Sequence, residues 1–217
     1  KIFLRPVRQQ KIGLILDAGL EDELCQRHLQ VVDACKATLG LDVDQIIRTE
    51  MPLEISLNQS LKGVSWGNIG QPEALLKAGK RLKGLGATAI AVVTRFPDNF
   101  DSKELYQYRR GKGVDALAGA EAVISHLLVK YLELPCAHSP GLAPLPIDCN
   151  VDPRAASEEL GYTFLPSVLM GLSRAPDLVP FPEDINNKSI NFSSSELIRP
   201  DQLGAVVAPE GALGSEA

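Results

Sequence analysis

Two runs, KIGLILD at 11–17 and AIAVVT at 89–94, constrain the fold more than anything else in the chain, because neither alternates between apolar and polar residues. A strand with water on one face alternates; an unbroken apolar run this short reads as a strand covered on both faces. Each run has a helical pattern beside it. Over 21–39, Leu24, His28, Val31, Val32, Cys35 and Leu39 recur at steps of three and four, acids crowd the first turn, and Gly40 supplies the stop. Pro72 sits where a first helical residue belongs, Leu75, Gly79, Leu82 and Leu85 follow along one face, and Gly86 closes that helix. A third helix is predicted over about 116–132 on Leu117, Ala120, Ile124, Leu127, Leu128 and Tyr131, leading to a short strand ahead of Cys136. Strands separated by helices of this size imply an α/β fold: a mostly parallel sheet with helices on both faces, right-handed crossovers and Rossmann-like layering.

Weaker signals fill in the rest. Strands are expected at 44–49 and 53–57, and 58–70 reads as a polar, glycine-containing loop that carries the only tryptophan, Trp66. A helical turn fits 154–160, the segment 163–172 is open between strand and helix, and 205–208 (AVVA) reads as a final buried strand. The organisation expected is an α/β core at 1–175, an irregular Pro/Asn/Ser-rich excursion at 176–200, and a last strand with a glycine-rich turn at 201–217 belonging to the same domain. With Lys1 at one end and a glycine-rich turn at the other, the chain reads as truncated at both ends, so that a targeting segment can lie upstream.

Composition narrows the function classes. A net charge of -5 and a pI near 5.3 disfavour nucleic acid and anionic membrane surfaces, which are recognised through clustered Lys and Arg. Cys25, Cys35, Cys136 and Cys149 are scattered without a CxxC pair, the usage of free thiols in a reducing compartment, and no metal site is assigned. No apolar run reaches the roughly 20 residues that span a bilayer, so membrane insertion is not expected. The Asn-x-Ser matches at Asn58, Asn187 and Asn191 read as chance occurrences in polar loops.

In open parallel sheets, ligands bind beyond the carboxyl ends of strands, where loops and helix amino termini converge. The densest loop of that kind is YQYRRGKGVDALAGA at 106–120. Gly111 and Gly113 let the backbone approach a ligand, Arg109 and Arg110 offer forked donors for a carboxylate or phosphate, and Asp115 caps the next helix or binds a hydroxyl. The same residues also fit a solvated helix end and a simple cap. The GxGxxG and GxxxxGK[ST] spacings are missing, so no cofactor is assigned. Cys136 and His138, two apart in an extended segment, fall on one face, where an imidazole acts as general acid or base; ordinary packing suits Cys136 equally. Asp17 and Arg95 each follow a buried strand and are expected on one rim with His138, although Asp17 before Ala18-Gly19 is also a sound turn former. His28 and His126 read as structural or exposed, and Trp66 as a lid or as cover for the core edge.

The stretches GVSWGNIGQPEALLKAG, AIAVVTRFPD, YRRGKGVDALAGAEAVISHLLVKYLELPCAHSPGLAPLP and ELGYTFLPSVLMGLSRAP together resemble a family of unknown function from cyanobacteria and plant chloroplasts. The resemblance covers most of 11–176. It implies a cyanobacterial cytoplasm or a chloroplast stroma, and a glycine-rich segment ahead of Lys1. It implies no activity. The rhythm of helix, GLGATAIAVVT and loop is also loosely similar to aspartate/glutamate racemase-type enzymes, but where those carry a cysteine this chain has Arg95.

The function expected from these residues is an enzyme binding a small anionic metabolite at strand-end loops. Arg95, Arg109, Arg110, Gly111, Gly113 and Asp115 would bind substrate, and His138, Cys136 and Asp17 would carry the chemistry. The alternative is a binding or assembly protein that uses the same loops to dock a partner, with no oligomeric state assigned.

Overall fold

The computed structural model describes residues 2–59, 65–98, 103–112, 115–153, 155–156, 164–180 and 197–205. At its centre is a four-stranded sheet. Strand β2 (Ile12–Leu16) is buried at every position and runs parallel to β3 (Gln45–Arg48) on one side and to β6 (Ala89–Arg95) on the other. Strand β7 (Cys136–Gly141) adds in parallel to β6, giving the order β3-β2-β6-β7.

The two unbroken apolar runs are the two central strands, and each face of the sheet has its own helices. Leu14 and Leu16 of β2 and Ala91 and Val93 of β6 pack with α1 (Asp22–Leu39) and α5 (Leu165–Ser173). Ile15, Ile90 and Val92 point the other way, into α2 (Pro72–Gly84) and α4 (Ala118–Leu132). Residues in the interior of both central strands are 0–3 % exposed. Burying one such Leu, Ile or Val contributes about 1.5–3 kcal/mol, which is why polar alternation would have been incompatible with these positions. Gly40 ends α1 in the left-handed conformation with φ 66°, its N–H donating to Lys36 O at 3.1 Å. The chain is thus a mixed α/β protein with a parallel central sheet and, among the described residues, five α-helices.

Several expectations need correction. The described residues of the expected loop at 58–70 include strands: β4 (Ile55–Gln59) and β5 (Ser65–Ile69) pair antiparallel, register Asn58 to Trp66, while 60–64 lie outside the described residues. Gly67, which reads as a loop signal, serves close packing. A Cβ there would lie 2.3 Å from the Ala120 Cβ of α4. Trp66 remains 46 % exposed. The segment 163–172 resolves to a helix, α5. Residues 106–109 belong to a short helix, α3 (Lys103–Arg109), too brief to show periodicity.

A further pair, β1 (Ile2–Arg5) with β8 (Asp177–Pro180), is antiparallel and tied by an Arg5–Asp177 ion pair at 2.6 Å, so the expected irregular excursion at 176–200 opens with a strand. Of the expected turn at 154–160, residues 155–156 are described and helical; Ala205 is not in a strand, and 206–217 lie outside the described residues.

The strand expected ahead of Cys136 begins at Cys136 instead. Helix α4 runs to Leu132 and Glu133 caps it at φ 56°, leaving Leu134 and Pro135 as the link. Pro140 is tolerated within β7 because β7 is an edge of the sheet and needs ladder donors on one side only.

Candidate functional site

The residues singled out by sequence fall into three groups. The first lies at the carboxyl rim of β2 and β6. Asp17 is 1 % exposed, and its carboxylate accepts three backbone N–H groups: Gly19 at 2.8 Å and Leu53 at 3.0 Å on Oδ1, Arg95 at 3.0 Å on Oδ2. It joins the turn after β2, the approach to β4 and the end of β6. Arg95 turns its side chain to two other carboxylates, Glu21 (Nη2 to Oε1, 2.8 Å) and Asp98 (Nη2 to Oδ2, 2.5 Å), and also donates to Phe96 O. These partners hold the guanidinium well above its ordinary pKa, chiefly through Asp98. Arg95 in turn holds Glu21 below the usual carboxylate range. Burial works against Asp98, yet hydrogen bonds from Arg95 and from Ala143 N–H keep it below that range too. A guanidinium facing two carboxylates has little attraction left for a third anion.

The second group follows α3. Arg110 bonds Asp148 (Nη2 to Oδ2, 2.9 Å) and Asn150 O (3.0 Å), and its guanidinium lies 5.4 Å from the Tyr106 ring centroid. Arg109 donates to Pro146 O at 3.1 Å and has Asp148 at 4.0 Å. Gly111 takes φ 72°, and a Cβ there would meet the Asp152 carboxylate at 2.3 Å, so this glycine is required twice over. Gly113 lies outside the described residues.

The third group surrounds His138, which sits in the middle of β7 opposite Val92, three residues short of the Gly141–Arg95 pair at the rim. At about 3.3 Å per residue that is roughly 10 Å from the rim. His138 therefore does not share a site with Asp17 and Arg95. It faces α4, which runs antiparallel to β7 because its carboxyl end feeds that strand. Glu121 and Ser125, four apart on one face of α4, meet the imidazole: Ser125 Oγ is 2.5 Å from Nδ1, and Glu121 Oε2 is 3.4 Å from Nε2. Glu121 is 8 % exposed, and its other oxygen, Oε1, is buried without a hydrogen-bond partner.

Asp115, just ahead of α4, accepts the Leu117 N–H at 2.9 Å. Burial pushes its carboxyl up to about 6, the Glu121 charge adds to this, and the Leu117 N–H and His138 oppose it. Cys136, on the same face two residues earlier, donates to Leu134 O at 3.2 Å, and burial pushes its thiol up to about 12, which leaves it protonated at neutral pH.

The geometry thus unites Asp17 with Arg95, Arg109 with Arg110 and Gly111, and Asp115 with His138. Sequence reading missed Glu121 and Ser125. The available signal was their four-residue spacing opposite a strand-borne histidine, but Glu121 passes for an ordinary acid in a first helical turn. No group of three or more His, Cys, Asp or Glu among the described residues is arranged to hold a metal ion. A depression of about 180 Å³ at the other end of the sheet, lined by Lys11, Asp42, Asp44 and Gly86 among others, contains none of the candidate residues.

Fold and site together define a mixed α/β protein with a parallel central sheet and a half-buried Asp–Glu–His–Ser cluster between its edge strand and α4. The chain belongs to the family described as "Protein of unknown function (DUF3326)", whose model matches residues 1–217. It is similar to an "Uncharacterized lipoprotein" of the cyanobacterium Synechococcus sp., 50 % identical over 211 residues, which are 97 % of this chain and 56 % of the relative. The chain therefore spans little more than half the length of that protein. No solved structure matches. Among the described residues, no helix is long and apolar enough to cross a membrane.

Proposed function

We propose that this chain is an enzyme that moves protons on a small metabolite, with His138 as general acid or base and Asp115 as a second proton carrier. One observation carries the reading: four polar side chains converge beside the amino end of α4, and one of them is a carboxyl held at about 6. A carboxyl raised towards neutrality beside a histidine suits acid–base chemistry, because proton transfer is most efficient when the group's pKa lies near the working pH. Glu121 orients the imidazole. In this reading Arg110, the more exposed arginine of its pair, binds a carboxylate or phosphate of the substrate by exchanging Asp148 for it. Asp17, Arg95 and Cys136 are assigned supporting roles. The strand order, with helices on both faces, supports a doubly wound, Rossmann-like arrangement. The free thiols support a reducing compartment, the cyanobacterial cytoplasm or a chloroplast stroma.

The test is an NMR chemical-shift titration of labelled protein with acetate, succinate and inorganic phosphate, alongside the His138→Gln and Arg110→Gln variants. The reading expects saturable shifts at 115–138 that weaken at least tenfold in Arg110→Gln, with the His138 ring signals moving on saturation. Shifts confined to surface lysines, the same in all three proteins, would remove the metabolite site and favour a docking surface.

A further inference from the structure

We propose that Ser125 is a nucleophile activated by His138, and that the site performs acyl transfer from an uncharged ester to water. The inference rests on the acid–base reading of His138 above and adds a covalent step to it. Its basis is one short contact and one neighbouring carboxyl. Neutral histidine has one N–H and one lone pair, and the group on one nitrogen favours the role of the other. Glu121 Oε2 stands 3.4 Å from Nε2, and an acceptor at that distance favours the tautomer with its proton there. Nδ1 is then the lone pair, and the only proton available to the 2.5 Å contact is that of Ser125 Oγ–H. Serine, imidazole and carboxylate stand in the order that activates a hydroxyl, with the two ring nitrogens exchanged relative to serine proteases.

Access and charge choose the substrate. The His138 side chain is 21 % exposed, and among the described residues no strand covers the outer edge of β7. Glu121 and Asp115 make the surroundings acidic, so a phosphoryl group would be repelled at the reacting centre, whereas a neutral acyl group would not.

The step balances. Ser125 Oγ bonds the acyl carbon as its proton passes to Nδ1; the ester C–O bond breaks and the departing alkoxide takes that proton from Nδ1. Water then repeats the sequence on the acyl-serine, releasing the carboxylic acid and restoring the hydroxyl. His138 touches the reacting atoms, and Glu121 is a positioning residue.

The experiment treats the folded chain with a fluorophosphonate probe and locates the adduct by peptide mass spectrometry, with p-nitrophenyl acetate turnover measured in parallel. The proposal expects labelling at Ser125, none at that peptide in Ser125→Ala, and a rate at least about 100-fold lower in His138→Gln. Glu121→Ala should slow labelling at least tenfold and Glu121→Gln, which keeps an acceptor facing Nε2, should restore most of the rate; equal rates in the two variants would overturn the positioning role. Circular dichroism and thermal melts confirm that each variant folds, and should His138→Gln fail to fold, His138→Asn replaces it. Absence of a Ser125 adduct in folded protein, or equal labelling in the His138 variant, would overturn the nucleophile. His138-dependent shifts with succinate that persist without any adduct would leave the acid–base reading standing while this one fell.

Discussion

Two polar clusters border the same sheet, one at its carboxyl rim and one midway along β7, and they differ in how completely they are satisfied. Around Asp17 every charge meets its complement: three N–H groups occupy the carboxylate, and Arg95 is closed off by Glu21 and Asp98. Around His138 the account is left open, with one carboxylate oxygen unpartnered and a neighbouring carboxyl held near 6 by burial. Saturated clusters resist change and fix loops; under-satisfied ones keep free energy available for a ligand or a proton. From sequence, both clusters looked alike, as charged residues at or near strand ends.

The comparison breaks most visibly at Asp17. Asp17→Ala strands three backbone donors in a buried place and should cost at least about 3 kcal/mol in urea unfolding, against less than about 1 for Ser125→Ala. Equal losses would erase the distinction. Next in size is Gly67→Ala, which drives a methyl into Ala120 and should cost about 1–3 kcal/mol, read as a drop in Tm, while Gly84→Ala, with open space around its Cα, should be near neutral or stabilising.

Asp115 sharpens the contrast through pH. Its folded-state value of about 6 lies above the ordinary 3.8, so the fold favours the protonated form; this stability is full below about 3.8 and is lost as pH rises through 6. Asp115→Asn should therefore gain about 1–2 kcal/mol at pH 8 and little at pH 4, in chemical denaturation at the two pH values. A loss at pH 8 would mean that the carboxylate is stabilised after all.

His28 behaves in the opposite sense. It is fully buried, Nδ1 lies 2.8 Å from Leu24 O and Nε2 has no partner, and desolvation lowers its pKa below 6.5. The unfolded chain thus takes up the proton first, and stability falls as pH drops below 6.5, by at most about 1.4 kcal/mol per unit. His28→Phe should flatten that slope. The smallest effect is expected at Arg110, whose pairing with Asp148 is screened by solvent, so that Arg110→Gln changes binding without a matching change in Tm.

The frame was legible because burial on both faces writes itself into sequence: KIGLILD and AIAVVT admit no alternation, and Gly40 and Pro72 punctuate their helices. The β4–β5 pair was hidden because its polar residues and Gly67 mimic a loop, and only contact with Ala120 reveals why glycine stands there. Arg95 and Asp17 do lie at strand ends, but a one-dimensional reading has no means of counting partners. It could not foresee that Glu21 and Asp98 would close around Arg95. β7 begins at Cys136, where a short strand ahead of Cys136 was expected, and this places His138 in the strand interior, facing Glu121 and Ser125 on α4.

The most direct test of the central claim is a carbon-13 NMR pH titration of the Asp115 carboxyl, with the His138 ring followed in the same samples. The account predicts an Asp115 midpoint near 6 that falls in Glu121→Gln, accompanied by a His138 response over the same pH range. An Asp115 carboxyl that titrates near 3.8, with His138 indifferent to it, would contradict the claim that these residues form one acid–base site.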